Sequence, residues 1–204
     1  FNKSFALLMK SEGGFVQDPH DSGGATNLGV TIATWKAYLN RPVSVQEIKD
    51  LTPVMVKPLY KQNYWNPAGC DILPSGVDYV VFDFAVNAGV KRAIKCLQKA
   101  VGATADGVLG SITQALIKQS NPMDLVEHFT EEKIAFYKSL NNPYFEKGWL
   151  ARADTVESNA EQMVQKDKLD LTILDYFENE PSVINKMFYK INLNVPVTKK
   201  IHEL

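Results

Sequence analysis

Cysteine is scarce in this chain: Cys70 and Cys96 are the only two, and neither falls in a Cys-x-x-Cys spacing. They make no disulfide framework, and free thiols are the expectation. Three histidines, His20, His128 and His202, lie far apart without a His-Glu-x-x-His or mixed Cys/His ligand pattern. That argues against a zinc peptidase or amidase, and neither a metal nor an organic cofactor is expected. An excess of either charge is missing too. The 22 Lys and Arg against 23 Asp and Glu leave a formal charge of −1, and the basic residues are scattered, so nucleic acid is not expected as a partner. Near neutrality gives no long-range pull toward an anionic surface either, and any attraction has to come from a local patch. No stretch approaches the roughly 18 apolar residues of a spanning helix, so no stable membrane insertion is expected. The opening Phe-Asn-Lys-Ser-Phe does not read as a secretory signal and has no initiating Met, so trimming is expected. With 45% apolar and 22% charged residues over 204 positions, the chain suits one substantial core or two lobes sharing one.

The most informative stretch runs from Glu12 to Thr31. Phe5, Leu8 and Met9 predict a short amphipathic helix over residues 2–11, and Gly13 and Gly14 end it, which puts Glu12 in or just past its last turn. The negative end of the helix dipole disfavours an ionised carboxylate there, the direction a general acid needs. Beyond it, Asp18-Pro19, Asp21-Ser22-Gly23-Gly24 and the segment Thr26 to Thr31 predict a small hairpin or ribbon. Folding back, such a ribbon can bring Asp21 and the Thr26 hydroxyl opposite Glu12. One protonated and one ionised carboxyl across a scissile bond is what most glycoside hydrolases need. Turn capping by Asp18 and Asp21 explains the same residues as well.

Further along, Thr31 caps a helix over residues 32–39, Ser44 and Glu47 form a capping box, and Thr52-Pro53 opens another helix. Pro58, inside that helix, predicts a kink or break near Lys57. Tyr64-Trp65-Asn66-Pro67 predicts a helix end and a loop, where Tyr64 and Trp65 either stack on sugar rings or, for Trp65, fill the core. Val77 to Asn87 is apolar enough to be the central helix. Asp83 and Asn87 share one face of it, and Asn87 either donates to a ligand or caps the helix. Helices are expected over 91–101, from Ser111, from Asn121-Pro122 to Leu140, and over 149–165. In the last of these Arg152, Asp154, Glu157 and Glu161 read as a solvated face. The tail alternates Tyr189, Ile191, Leu193, Val195 and Val197 with polar residues, which predicts a half-buried strand in need of a partner.

The run Glu12-Gly13-Gly14-Phe15-Val16-x-Asp18-Pro19-x-Asp21-x-Gly23-Gly24-x-Thr26-Asn27-x-Gly29-Val30-Thr31 resembles the signature of the N-acetylmuramidases of glycoside hydrolase family 108, found in phage endolysins and related bacterial lysozymes. Tyr64-Trp65-Asn66-Pro67 and the segment from Val81 to Gly89 resemble the same family, so the likeness spans residues 1–165. It implies a mainly α, lysozyme-like α+β fold, a helical bundle with a small β-ribbon after the first helix. It also implies that Glu12 is the catalytic acid. Asp21 and Thr26 resemble the aspartate and threonine of phage-type lysozymes, though the last gap is one residue shorter here. Residues 1–75 are then a catalytic lobe, 76–165 a helical lobe resembling a peptidoglycan-binding region, and 166–204 an extension through which self-association or a protein partner is expected. The implied substrate is the peptidoglycan glycan strand. The implied place of action is the periplasm or cell wall, reached from the bacterial cytoplasm by another factor. A lytic transglycosylase and a non-catalytic wall-binding module are the alternatives.

Overall fold

The computed structural model describes residues 1–17 and 24–179, so Asp21 and the strand expected at 189–197 lie outside the described residues. The architecture is mainly helical, with one small two-stranded sheet. Helix α1, Asn2–Ser11, leads into the sheet, where β1, Thr26–Asn27, pairs antiparallel with β2, Val30–Thr31, in the register Thr26 to Thr31 and Asn27 to Val30. Leu28 and Gly29 make the two-residue turn, both with positive φ (50° and 72°), the backbone twist that suits a tight hairpin. Val16 adds a bridge to Thr26, so the ribbon expected after the first helix is present.

Local signals place the next helices where the sequence expects them. Helix α2, Ile32–Leu39, starts at Thr31, whose side chain accepts from Thr34 N–H. Helix α3, Val45–Lys49, carries the full Ser44–Glu47 capping box. Helix α4, Pro53–Tyr60, contains Pro58 and runs through it without a break. Pro58 and Val54 are both exposed, so the carbonyl that loses its donor turns toward water. Downstream, a π-helical turn covers Lys61–Trp65, and a short 3₁₀ turn follows at Cys70–Ile72.

Helix α5, Val77–Ala88, is the axis of the fold. Val77 and every residue from Tyr79 to Ala85 are buried, because helices pack on all its sides. Those neighbours are α1, α6 (Val90–Ala100), α8 (Pro122–Ser139) and α9 (Pro143–Asn179), while α7 (Ser111–Gln119) packs through Ile117. An aromatic cluster ties α1 and α4 to it: Phe1, Trp65 and Tyr60 meet Phe82 at centroid distances of 5.9, 5.4 and 6.4 Å, each edge-on. Each such pair adds roughly 0.5–1.5 kcal/mol beyond the area it buries. Cys70 and Cys96 are free and buried, and burial pushes the Cys96 thiol up to about 12.

Helix α9 is longer than its apolar pattern predicts. It begins at Pro143, an N-terminal position that proline favours, and continues past Gln165 to Asn179. Ala153, Val156, Ala160 and Met163 form its buried stripe.

Asp78, in the first turn of α5, accepts from Gly76 N–H at 3.1 Å, but burial outweighs that bond and raises its carboxyl from 3.8 to about 6. Between those two values the folded chain holds a proton that the unfolded chain releases, so this group's contribution to stability falls as pH rises through the interval and is level above it. Asp78→Asn keeps the acceptor and removes the titration. Thermal unfolding is expected to show a higher Tm than the parent at about pH 7.5 and no gain at about pH 3.5.

Candidate active site

The site is built where α1 ends. Glu12 is the C-cap residue, with extended backbone (φ −82°, ψ 140°) and its N–H on the Leu8 carbonyl. The departure from helical geometry swings its side chain out of the α1 face and under the ribbon. Leu28 N–H donates to the Gly13 carbonyl at 3.1 Å, and Tyr60 Oη donates to the Leu28 carbonyl at 2.8 Å, so the hairpin turn is pinned above the carboxyl from two sides. The Glu12 side chain retains 14% of its exposure, enough to meet a ligand.

Gly29 shows how close the turn comes. A Cβ there would lie 2.5 Å from Tyr60 Oη and 2.6 Å from Glu12 Oε2, and its φ of +72° is one that side-chain-bearing residues rarely adopt. Gly29→Ala is expected to lower stability by roughly 1–2 kcal/mol and to cut turnover severalfold by displacing Glu12. Thermal unfolding and initial rates on one preparation check both effects.

The other side of Glu12 is held by a cation. Arg152, from α9, donates from Nη2 to Glu12 Oε1 at 3.1 Å. The same guanidinium donates to Asp83 Oδ1 from Nη2 at 2.7 Å and from Nε at 3.1 Å. Asp83, fully buried in α5, also receives Lys133 Nζ of α8 on Oδ2 at 2.7 Å. Lys133 is itself buried, so two cations and two carboxylates from four helices form one continuous chain that ends at Glu12. The two carboxylates beside Arg152 outweigh its desolvation and hold its guanidinium above the ordinary range. Buried Tyr60 and half-buried Tyr64 lie near Glu12, and burial first, then the Glu12 charge, raises both phenols.

Among the residues singled out from the sequence, the structure brings together Glu12, the ribbon carrying Thr26, and Tyr64. Thr26 is half-buried, on the ribbon face opposite Asn27, whose side chain is turned inward onto the Ile48 and Lys49 carbonyls. Trp65 corrects the expectation of a sugar-stacking ring. It is 1% exposed and donates Nε1–H to Asp71 Oδ1 at 2.6 Å, so its faces are covered by protein. Asn87 is exposed and donates to the Asp83 carbonyl one turn back. Arg152 is the second correction: it faces Glu12 and Asp83, and among the four charges read as a solvated face only Asp154 is exposed, the other three being half-buried.

A separate hollow of about 210 Å³ opens between α6 and α7, lined by Gln98, Asp106, Val108 and Thr113 among others. Its polar walls are occupied with the turn itself, since Gln98 donates to Asp106 Oδ1 at 2.7 Å and accepts from Gly107 N–H at 2.8 Å.

Comparison with known proteins bears on this geometry. The family model described as glycosyl hydrolase 108 matches residues 5–89, a span that holds Glu12 and Asp83 but neither Lys133 nor Arg152. A solved structure, titled Structure of Brucella abortus SagA, is 39% identical, covers 80% of this chain and 94% of its own, and superposes with a TM-score of 0.71. No curated protein matches the chain.

Proposed function

We propose that this chain, which belongs to the glycosyl hydrolase 108 family and is a glycoside hydrolase, cleaves the β-1,4 bond between N-acetylmuramic acid and N-acetylglucosamine in peptidoglycan. The observation that carries the reading is Glu12: a carboxyl at a helix end, partly open to solvent, overhung by a glycine turn and gripped on one oxygen by a guanidinium. A proton donor to a leaving oxygen needs that combination of access and fixed aim.

As the bond lengthens, positive charge develops at the muramic anomeric carbon, and a second carboxylate stabilises it or directs the attacking water. Asp21 and Thr26 take these roles by their likeness to phage-type lysozymes. Tyr64, half-buried near the Glu12 charge, and Asn87, exposed one turn beyond Asp83, are the proposed ligand contacts. The place of action is the bacterial cell wall.

Mass spectrometry of the soluble fragments released from purified peptidoglycan tests the bond and the chemistry together. Reducing N-acetylmuramic ends are expected. Anhydro ends would make the enzyme a transglycosylase, and reducing N-acetylglucosamine ends would move the cut to the other bond.

A further inference from the structure

Helix α9 carries an aromatic patch that the acid site leaves unused. Tyr144 is 85% exposed and Phe145 51% exposed, their rings edge-on at 4.7 Å. Phe145 stacks on half-buried Trp149 at 5.8 Å, and Trp149 stacks on buried Tyr137 at 5.4 Å, both pairs tilted by only 23°. Phe145, Trp149 and Arg152 stand at i, i+4 and i+7, so the stripe runs along one face of the helix to the residue that grips Glu12, a rise of roughly 10 Å. Its inner end adjoins the charge cluster too, since the Asp83 carboxylate helps, after burial, to hold the Tyr137 phenol above its ordinary range.

Gly148 sits inside this stripe, three residues after Phe145 and four before Arg152. A glycine within a helix weakens it relative to almost any other residue. Nothing in the fold demands this one: its φ is not positive, and a Cβ would meet nothing within 4 Å. A bare strip of helix backbone, with aromatic rings beside it and the catalytic carboxyl beyond, is shaped to seat a flat, partly apolar ring.

We propose that Tyr144, Phe145, Gly148 and Trp149 form an outer subsite for the glycan strand, where pyranose C–H faces stack on Phe145 and Tyr144 while the strand continues over Gly148 toward Glu12. The subsite rests on the reading of the site as a peptidoglycan hydrolase. The occupant is a strand rather than a second copy because the patch is continuous with the acid site, and because aromatic faces ending on bare backbone match a chain of rings threaded past a carboxyl. These residues lie outside the 5–89 family match, and the resemblance of residues 76–165 to a peptidoglycan-binding region singles out none of them.

Two variants test it: the double substitution Tyr144→Ser with Phe145→Ser, and Gly148→Leu. Leucine is the better helix former and has open space there, so Gly148→Leu is expected to keep or raise Tm while filling the shelf. Fluorescence titration with long uncross-linked glycan strands and with single-disaccharide fragments reads affinity independently of cleavage. Each variant is expected to raise Kd for long strands roughly fivefold to tenfold, with KM following and the single-disaccharide Kd unchanged. Unchanged long-strand Kd in both variants would overturn the subsite, as would no strand binding by the unmodified protein. A double variant that breaks a dimer while binding strands normally would overturn it too, by assigning the patch to a second copy. If the unmodified protein binds strands but releases no fragments, the hydrolase reading falls while the Kd contrast still decides the shelf.

Discussion

Glu12→Gln is expected to reduce release of soluble peptidoglycan fragments by about a hundredfold to ten-thousandfold, the range that general acids contribute, while leaving the fold intact. Glutamine preserves the volume beneath the Gly29 turn, and its Oε1 still accepts from Arg152 Nη2. What disappears is the proton that the leaving oxygen needs. Arg152 keeps both hydrogen bonds to Asp83 as well as the amide oxygen, so no charge is left unpaired and stability alters by only about 1 kcal/mol. For a chain of this size that is a shift of roughly 2–4 °C in Tm. Fragment release under substrate saturation, beside a thermal melt of the same preparation, checks both halves. A folded variant with near-normal turnover would remove Glu12 from the chemistry and leave it as a structural partner of Arg152.

The place of Glu12 at the end of α1 was legible from sequence because it depends on local signals: an amphipathic stripe, two glycines that end it, and turn residues beyond. The same holds for the capping box at Ser44 and Glu47 and for the all-apolar α5. Arg152 was not legible. Its partners are 69 and 140 positions away, and a charged residue on an amphipathic helix ordinarily faces water. One signal was available and points to the cluster. Asp83 is the lone charge in the apolar core of α5, and Lys133 interrupts the stripe Leu125, Phe129, Tyr137 on α8. Two opposite charges on faces that must be buried have to find each other, because an unpaired charge in a core is prohibitively unstable. Trp65 misled for a different reason. The turn chemistry of Asn66-Pro67 suggested an exposed loop, while the π-helical turn before it rotates the indole inward onto Phe82 and Asp71.

Asp83→Ala is expected to destabilise the fold by roughly 3–5 kcal/mol, because it leaves Lys133 buried with no anion and Arg152 tied to Glu12 alone. That corresponds to a fall in Tm of roughly 6–20 °C. Adding Lys133→Met to it removes the stranded ammonium and supplies apolar volume beside Phe84, so the double variant is expected to recover much of the loss. Activity is expected to behave differently. Asp83 is also what holds the Arg152 guanidinium through two hydrogen bonds, so the double variant should regain its fold while the Glu12 carboxyl remains poorly aimed and turnover stays low. Separate recovery of Tm and of kcat is the signature of a buried charge chain whose inner pair has a structural role and whose outer member positions the acid. If the double variant melts as low as Asp83→Ala alone, the stranded lysine is not the source of the instability. If it regains full turnover, Arg152 does not need Asp83 to hold Glu12 in place.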